Sequence, residues 1–419
     1  MDAFIARQPI FDMDQKVFAY ELLFRSGLAN FFDEKNADAN QIDQVSSKVI
    51  GDSVMIHGLD TLTAGKKGFY NVTRETLVKE YYAMLPQKDT VVEILESVQP
   101  DAEVIKACEN LKQHGYALAL DDFVYKDRYR ALIDLADFIK VDFLATDHAE
   151  QQRLAECYAP KGIRMLAEKV ETWEIFQEAK EMGYTYFQGF FFSKPVILTG
   201  KDIPAYKLHY LKILQEIQRS ELDYNGIEEI IKLEMSLSYK LLRYINSAFF
   251  GWQSEIGSIQ HALVLMGENE IKKWASLVAL VNMAGDKAHE LVIQAIVRSK
   301  FCEFLAPRFG QEKRSQDFFL LGMFSLLDAI MGCPLSEGLN KLPISEDIKE
   351  ALLDGTGPMG DAFQLILAYE KGYWQDIAEI IEKLEISDEG ISTFYLKALR
   401  WADQSFKTAD ANLVEEKRH

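Results

Sequence analysis

The chain has 419 residues, 48% hydrophobic, 12% aromatic and 26% charged, a globular composition that excludes the disordered and low-complexity classes and suits two domains rather than one. Its 65 acidic side chains against 46 basic ones leave a net charge of −19, so a polyanion meets a repulsive mean field and bulk nucleic-acid binding is disfavoured. Four cysteines, Cys108, Cys157, Cys302 and Cys333, stand far apart without a CxxC pair, which argues against a disulfide framework or a thiolate zinc site and fits a reducing, cytoplasmic location.

The opening MDAFIARQPIFDMDQ breaks every apolar run with an acid or an arginine, so neither a signal peptide nor a membrane anchor is expected. From there short β-rich runs alternate with helical stretches. The strand candidates are VFAYELLF, GFYNV, TVVEILE, YALALDDF, FIKVDFL, IRMLAEKV and YTYFQGFFF, and FIARQPIF offers an extra one. Between them lies, for example, DAEVIKACENLKQHG, whose apolar positions recur every three to four residues and which stops at Gly115. Seven runs plus the extra one are what a closed, TIM-like (β/α) barrel of about eight strands requires. After KPVILTGKDIPAY the rhythm changes. From Leu208 to about Leu399 the pattern is helical, interrupted by Gly, Pro and Asn turns. The expected division is therefore residues 1–204 for the barrel and 205–419 for an all-α domain, opening with the helix KLHYLKILQEIQRSEL. The tail after about Ala409 reads as frayed.

Glu21, Asn71, Glu93, Asp121, Asp122, Lys140, Glu168 and Gln188 fall at or near the C-terminal ends of predicted strands. In a βα barrel those ends converge on one face, so these side chains are expected to meet. One acid at a strand end is more often a cap or a loop carboxylate than a ligand. Many at successive strand ends are another matter, because clustered carboxylates leaving water need a compensating cation. A set of carboxylates with one amide oxygen and no histidine or thiolate is a hard, all-oxygen donor set, suited to Mg²⁺, Mn²⁺ or Ca²⁺. The adjacent Asp121 and Asp122 could engage two ions, which would activate a water against a phosphodiester, with Lys140 placed to hold or deprotonate that water. The bland alternative for Lys140 is a barrel lysine paired with Glu93.

The runs YELLFR (Tyr20 to Arg25), FYNVT, VVEILES, ALDDF, IKVDF, LAEKVE and YFQGFFFSKP resemble, in order, the motif set of the EAL domain, the family of cyclic di-GMP phosphodiesterases. The resemblance implies a modified TIM barrel that linearises cyclic di-GMP to pGpG with two Mg²⁺ or Mn²⁺ ions. It implies that Glu21, Asn71, Glu93 and Asp121 bind one metal, and that Asp121, Asp122 and Glu168 serve the other. Lys140 and Gln188 would order the attacking water, Glu21 and Glu168 would share in catalysis, and Arg25 would grip a phosphate. A homodimer through the barrel is a further implication.

The chain also departs from that pattern. Glu-Ala-Leu is here Glu21, Leu22, Leu23, which keeps the ligand. The family's Asp-Asp-Phe-Gly-Thr-Gly-Tyr-Ser-Ser is here DDFVYKDRYRALI. Both glycines, with their freedom at positive φ and their close backbone approach, are lost to Val124 and Lys126. This loop helps order the second metal and the dimer in the family, so the second ion and catalysis depend on it. Glu96 remains to brace it. Lys169 replaces the usual glycine after Glu168, where a cation could compete with a metal for that carboxylate.

In the second half, Leu237, Leu241, Leu242 and Ile245 keep helical spacing, ended by Asn246, Ser247 and Gly251. The stretches SLSYKLLRYINSAFFG and IGSIQHALVLMG resemble the HDOD domain, a helical relative of the HD phosphohydrolases, over about residues 205 to 400. The whole chain thus resembles the EAL–HDOD signalling proteins of bacteria. Ser325 and Leu326 stand where a working phosphohydrolase has its His-Asp pair, and Leu326 cannot bind a metal. His261 and His289 lack nearby acids in sequence and read as core or surface residues. This half is expected to be a protein-interaction module rather than an enzyme, with Asn246, Trp252 and His261 worth inspecting and Asn246 a structural cap. The leading expectation is a cyclic di-GMP signalling protein whose barrel binds the nucleotide with divalent metals and hydrolyses it slowly if the altered loop permits. The alternative is a scaffold inactive toward the nucleotide that acts by protein contacts, its acids neutralised by Lys126 or Arg128.

Overall fold

The computed structural model describes residues 3–26, 59–123, 127–192, 205–218, 222–233, 235–246, 250, 256–284, 289–342 and 344–410. By packing, the chain divides into two units, Met1–Lys194 with Leu367–Ser392, and Pro195–Ile366 with Thr393–His419. Among the described residues, no helix is long and apolar enough to cross a membrane.

The first unit is built on a closed barrel of eight strands: β1 (Ala3–Asp12), β2 (Val17–Ser26), β3 (Lys67–Val72), β4 (Thr90–Ile94), β5 (Ala117–Leu120), β6 (Phe138–Asp142), β7 (Arg164–Glu168) and β8 (Tyr186–Gln188), in sequence order around the wall. The extra strand at FIARQPIF is β1. It runs antiparallel to both β2 and β8, whereas every pair from β2·β3 to β7·β8 is parallel. The reason is local: only four residues join β1 to β2, and a connection that short can make only a hairpin. Its turn is closed by the Asp12 carboxylate, which accepts from the amides of Asp14 and Lys16 at 2.9 Å each.

Helices on the outside begin at caps written into the sequence. Asp101 accepts from the amides of Glu103 and Val104 at the start of helix Ala102–Gln113, and Thr172 accepts from Ile175 at the start of helix Trp173–Met182. Both helices end where chain reversal needs a left-handed residue, at Gly115 (φ 81°) and Gly183 (φ 101°). Alternation along each strand sorts the apolar side chains into two cores. Leu118, Ile139, Met165 and Phe187 face outward onto the helices, while Ile10, Ala19, Phe69, Val91, Ala119, Phe138 and Leu166 fill the barrel. That interior plug is fully buried, each large side chain contributing about 2 kcal/mol relative to exposure. It forms the floor on which the polar mouth stands. Leu367–Ser392 belongs to this unit through Tyr369 and Trp374, whose rings lie 6.4 and 6.1 Å from that of Phe4.

The second unit is all helical where described. Its first helix, Ala205–Ile217, starts within the stretch expected to open it. The long helical run Ile259–Ala284 is broken at Gly267, whose φ of 71° and ψ of 169° kink the chain. Helices His289–Leu305 and Ser315–Phe324 pack backbone to backbone at Gly322, where a β-carbon would come within 2.4 Å of the Arg298 carbonyl carbon and the Ser299 amide.

Candidate functional site

Counting two residues toward the mouth from each member of the barrel plug reveals the site. Ala19 leads to Glu21, Phe69 to Asn71, Val91 to Glu93, Ala119 to Asp121, Phe138 to Lys140, Leu166 to Glu168, and the inward Tyr186 to Gln188. On antiparallel β1 the same step runs backward, from Ile10 to Gln8. A whole layer of the barrel is therefore polar, directly above one that is wholly apolar. Of the expected site residues, Glu21, Glu93, Lys140, Glu168 and Gln188 are buried. Asp122 lies one residue past Asp121 and would point outward in a continuing strand, but its φ of 40° turns it out of the strand. Arg25 lies four residues beyond Glu21 on the same face of β2, half-buried.

Lys140, 1% exposed, is the centre of this layer. Its Nζ lies 2.8 Å from Glu168 Oε1, 3.1 Å from Asp121 Oδ1 and 3.4 Å from Glu21 Oε2, and it donates to Glu93 Oε1. Asn71 Nδ2 donates to Glu21 Oε1 at 3.0 Å; Gln188 Nε2 donates to Glu21 Oε2 at 2.6 Å and to Gln8 Oε1 at 2.9 Å. Gln8 in turn donates to the Lys371 carbonyl at 3.2 Å. The pairing of Lys140 with Glu93 that sequence offered as the bland alternative is thus present, as one contact of four.

Four carboxylates around one ammonium do not balance, and burial decides where the excess goes. Burial pushes Glu93 well above the ordinary carboxylate range despite Lys140, and pushes Glu168 up to about 8, with Asp121 and Glu21 adding to the effect. Burial would also raise Asp121, but Lys140 outweighs it and holds that carboxyl low. Lys140 itself would be depressed by burial, yet the surrounding acids hold it well above the usual lysine value. As an ammonium it can donate to a water or a phosphate oxygen.

Several acceptors remain unspent. Asn71 Oδ1, Glu93 Oε2, Asp122 Oδ1 and Gln188 Oε1 are buried atoms with no hydrogen-bond partner among the described residues. All four are oxygens, which a divalent cation would satisfy and an acceptor-rich ligand such as a phosphate alone would not. Among the described residues, carboxylate oxygens close enough to share an ion fall into two groups, Glu21 with Glu93 and Glu168, and Glu96 with Asp121 and Asp122. Each group is an all-oxygen donor set of the kind that suits a hard divalent cation. Beside the second group an open cavity of about 150 Å³ is lined by Glu96, Asp121, Asp122, Phe123, Arg128 and Tyr129.

Two expectations about cations change. Lys169 does not turn to Glu168: its Nζ donates to Asp142, because a left-handed backbone (φ 54°) swings the side chain away from its neighbour. Arg128 lies over the Tyr129 ring and donates to its hydroxyl at 3.2 Å. Val124, Tyr125 and Lys126 lie outside the described residues. Gln8 and Asp142 were not singled out in the sequence. The signal for Asp142 was its inward parity with Lys140; that for Gln8 needed the reversed direction of β1.

In the helical unit, Ser325 Oγ accepts from Arg298 at 3.2 Å and donates to the Gly322 carbonyl, and Leu326 is buried. Among the described residues, neither group able to share an ion lies in this unit. Asn246 is structural: its amide donates to the Leu242 and Ile256 carbonyls and its oxygen accepts from Ile256 N at 2.7 Å. His261 is exposed, with its amide on Ser258 Oγ, and His289 is exposed as well. Trp252, Ser247 and Gly251 lie outside the described residues.

Comparison with known proteins agrees with this architecture. The EAL domain family model matches residues 53–195 and the HDOD domain model residues 203–335. The uncharacterized protein YuxH of Bacillus subtilis (strain 168) is 32% identical over 409 residues, covering 96% of this chain and 98% of YuxH. The cyclic di-GMP phosphodiesterase CdgJ of Vibrio cholerae is 32% identical over 401 residues, covering 95% of this chain and 92% of CdgJ. Among solved structures, the Bacillus subtilis YkuI protein, with an EAL domain, in complex with cyclic di-GMP and calcium, is 23% identical, covering 45% of this chain and 54% of that one at a TM-score of 0.38. With a polar layer over an eight-stranded barrel, a helical second half, and full-length relatives of the same span, the chain belongs to the EAL–HDOD family.

Proposed function

We propose that this chain is a cytoplasmic cyclic di-GMP signalling protein whose barrel mouth binds the nucleotide together with Mg²⁺ or Mn²⁺ and hydrolyses it slowly to pGpG. The observation that carries the proposal is the polar layer, in which Glu21, Asn71, Glu93, Asp121, Glu168 and Gln188 surround Lys140 and leave buried oxygens unspent. The name of the Vibrio relative supports the substrate.

Glu21, Asn71, Glu93, Asp121, Asp122 and Glu168 would hold the ions. When bound, divalent ions would polarise the phosphodiester and acidify a water. Lys140, an ammonium among acids, donates to a water or phosphate oxygen and keeps it oriented. Gln188 has both hydrogens committed to Glu21 and Gln8, so its free Oε1 accepts from a water. Arg25 is placed on the same face of β2 to meet a phosphate.

The helical half acts as the output module, through protein contacts. It carries Ser325 and Leu326 where metal ligands would be needed, and it exposes Tyr239, Val264 and Leu265. One observation favours a second reading, a scaffold indifferent to the nucleotide: Lys140 sits among the acids as their own cation. Calorimetric titration with cyclic di-GMP and Mn²⁺, together with chromatographic detection of pGpG, separates the two. Binding heat with pGpG that disappears in Glu21→Ala supports the enzyme; neither heat nor product at saturating ligand leaves only the scaffold.

A further inference from the structure

β1 and β2 outrun the rest of the barrel. Their register pairs Gln8 with Glu21 in the polar layer and carries on through Ala6 with Leu23 and Phe4 with Arg25 to Ala3 with Ser26. Among the described residues, β8 pairs with β1 only at residues 10–12, and β3 pairs with β2 only at residues 19–22. Beyond the polar layer the two strands therefore form a ribbon of their own, and such a ribbon is marginal in water unless something packs on it. It carries Arg25. Period two puts Phe4, Leu23 and Arg25 on the same inner face as Gln8 and Glu21, while Arg7, of opposite parity, donates to the Leu62 carbonyl at 3.0 Å.

What packs on the inner face comes from Leu367–Ser392, part of the same unit although Tyr369 and Ile5 stand 364 positions apart in sequence. Helix Gly357–Lys371 stops at Gly372, whose φ of 67° is left-handed. That turn lets the Gly372 and Tyr373 amides donate back to the Tyr369 and Ala368 carbonyls at 3.0 and 2.9 Å, and helix Trp374–Leu384 begins at once. The result is a stiff corner. Tyr369, 0% exposed, accepts from the Ile5 amide at 3.4 Å through its hydroxyl. Its ring and that of Trp374, 5.6 Å apart, both pack on the Phe4 ring. Gly372 abuts Leu23, where a β-carbon would come within 2.6 Å of Leu23 Cδ1, and the Lys371 carbonyl accepts from Gln8. Phe4, Leu23 and Gln8 are thus all held on one face, and Phe4 is the cross-strand neighbour of Arg25.

Resting on the proposed function, we infer that residues 369–374 are a clamp that holds the ribbon and thereby fixes Arg25 where it meets a cyclic di-GMP phosphate. Tyr369 and Trp374 are positioning residues, acting through the ribbon rather than on the nucleotide.

Two measurements on the full-length chain test this. Amide hydrogen exchange without ligand reads the clamp alone: in Trp374→Ala, residues 3–7 and 22–26 are expected to exchange at least about tenfold faster while β4 to β7 stay as in wild type. Calorimetric titration with cyclic di-GMP and Mn²⁺ reads its consequence, a weakening of about tenfold in Trp374→Ala. In an Arg25→Ala background the same substitution should change affinity by less than about twofold, because its effect passes through Arg25. Trp374→Phe, which keeps a ring against Phe4, should restore most of both effects. Should Trp374→Ala fail to fold, Tyr369→Phe takes only the hydroxyl from the Ile5 amide and should speed exchange there. Unchanged exchange in the ribbon overturns the inference, and so does a tenfold weakening that persists without Arg25; either leaves the proposed function standing. A wild type that does not bind cyclic di-GMP, with exchange behaving as expected, overturns the proposed function and the role given to Arg25.

Discussion

Lys140 Nζ lies 2.8 Å from Glu168 Oε1 inside the barrel, a buried pair in which the carboxyl is nonetheless pushed up to about 8. One ammonium shared among Glu21, Glu93, Asp121 and Glu168 cannot keep all four ionised. Removing it leaves buried carboxylates without a counter-charge, which costs about 3 kcal/mol or more. Lys140→Met is therefore expected to lower the melting temperature in EDTA and to recover most of it in Mn²⁺, while forming no pGpG. Equal melting temperatures of the variant with and without the ion would contradict this.

The pH dependence follows from the same layer. Glu168 has a folded-state value of about 8 against an ordinary 4.5, and Glu93 moves in the same direction. A carboxyl raised on folding favours the native state below its unfolded value, and that contribution is lost as pH climbs through the folded value. Metal-free protein should lose stability between about pH 5 and pH 8. Mn²⁺, which binds the ionised form, should flatten the profile and release protons on binding near pH 7. Melting curves at stepped pH, with EDTA or Mn²⁺, check it; a metal-free profile that rises over this range would be the opposite sign.

Gln8 ties Gln188 to the Lys371 carbonyl. In Gln8→Ala the Gln188 amide keeps only Glu21 and loses its fixed orientation. We expect a fall of about tenfold in kcat for pGpG formation, with little change in KM or in melting temperature. A change confined to KM would instead assign Gln8 to substrate contact.

Gly189 follows Gln188 at φ 144°, and a β-carbon there would lie 2.1 Å from the Val170 carbonyl oxygen, an atom of the backbone that cannot yield. Gly189→Ala should destabilise the barrel by about 2 kcal/mol or more and displace Gln188. Chemical denaturation measures the first effect and loss of pGpG formation the second.

At Gly322 the conflict is likewise with backbone, at Arg298 and Ser299. Gly322→Ala should force apart helices His289–Leu305 and Ser315–Phe324 and cost about 1–3 kcal/mol. A variant as stable as wild type would show that the two helices can slide.

How far the sequence reached can be followed residue by residue. Strands were visible because period-two runs such as GFYNV and TVVEILE carry their own alternation, and the candidate ligands sat at their ends. The polar mouth followed once a barrel was assumed. Gln8 escaped because direction, not composition, decides which end of a strand faces the mouth, and β1 is the strand that runs backward. The partner of Lys169 escaped for a related reason: a φ of 54° re-aims a side chain, and no residue type announces that angle.

The sequence by itself determined the barrel, the helical second half, the polar residues at the strand ends and the absence of a His-Asp pair, since each is a matter of residue type and short-range spacing. Only the tertiary structure decided which carboxylates share Lys140, which are pushed toward protonation, and where the charge of Lys169 goes. Those depend on burial and on distances between strands far apart in the chain, and electrostatic energy in a desolvated site is set by such distances rather than by order along the backbone.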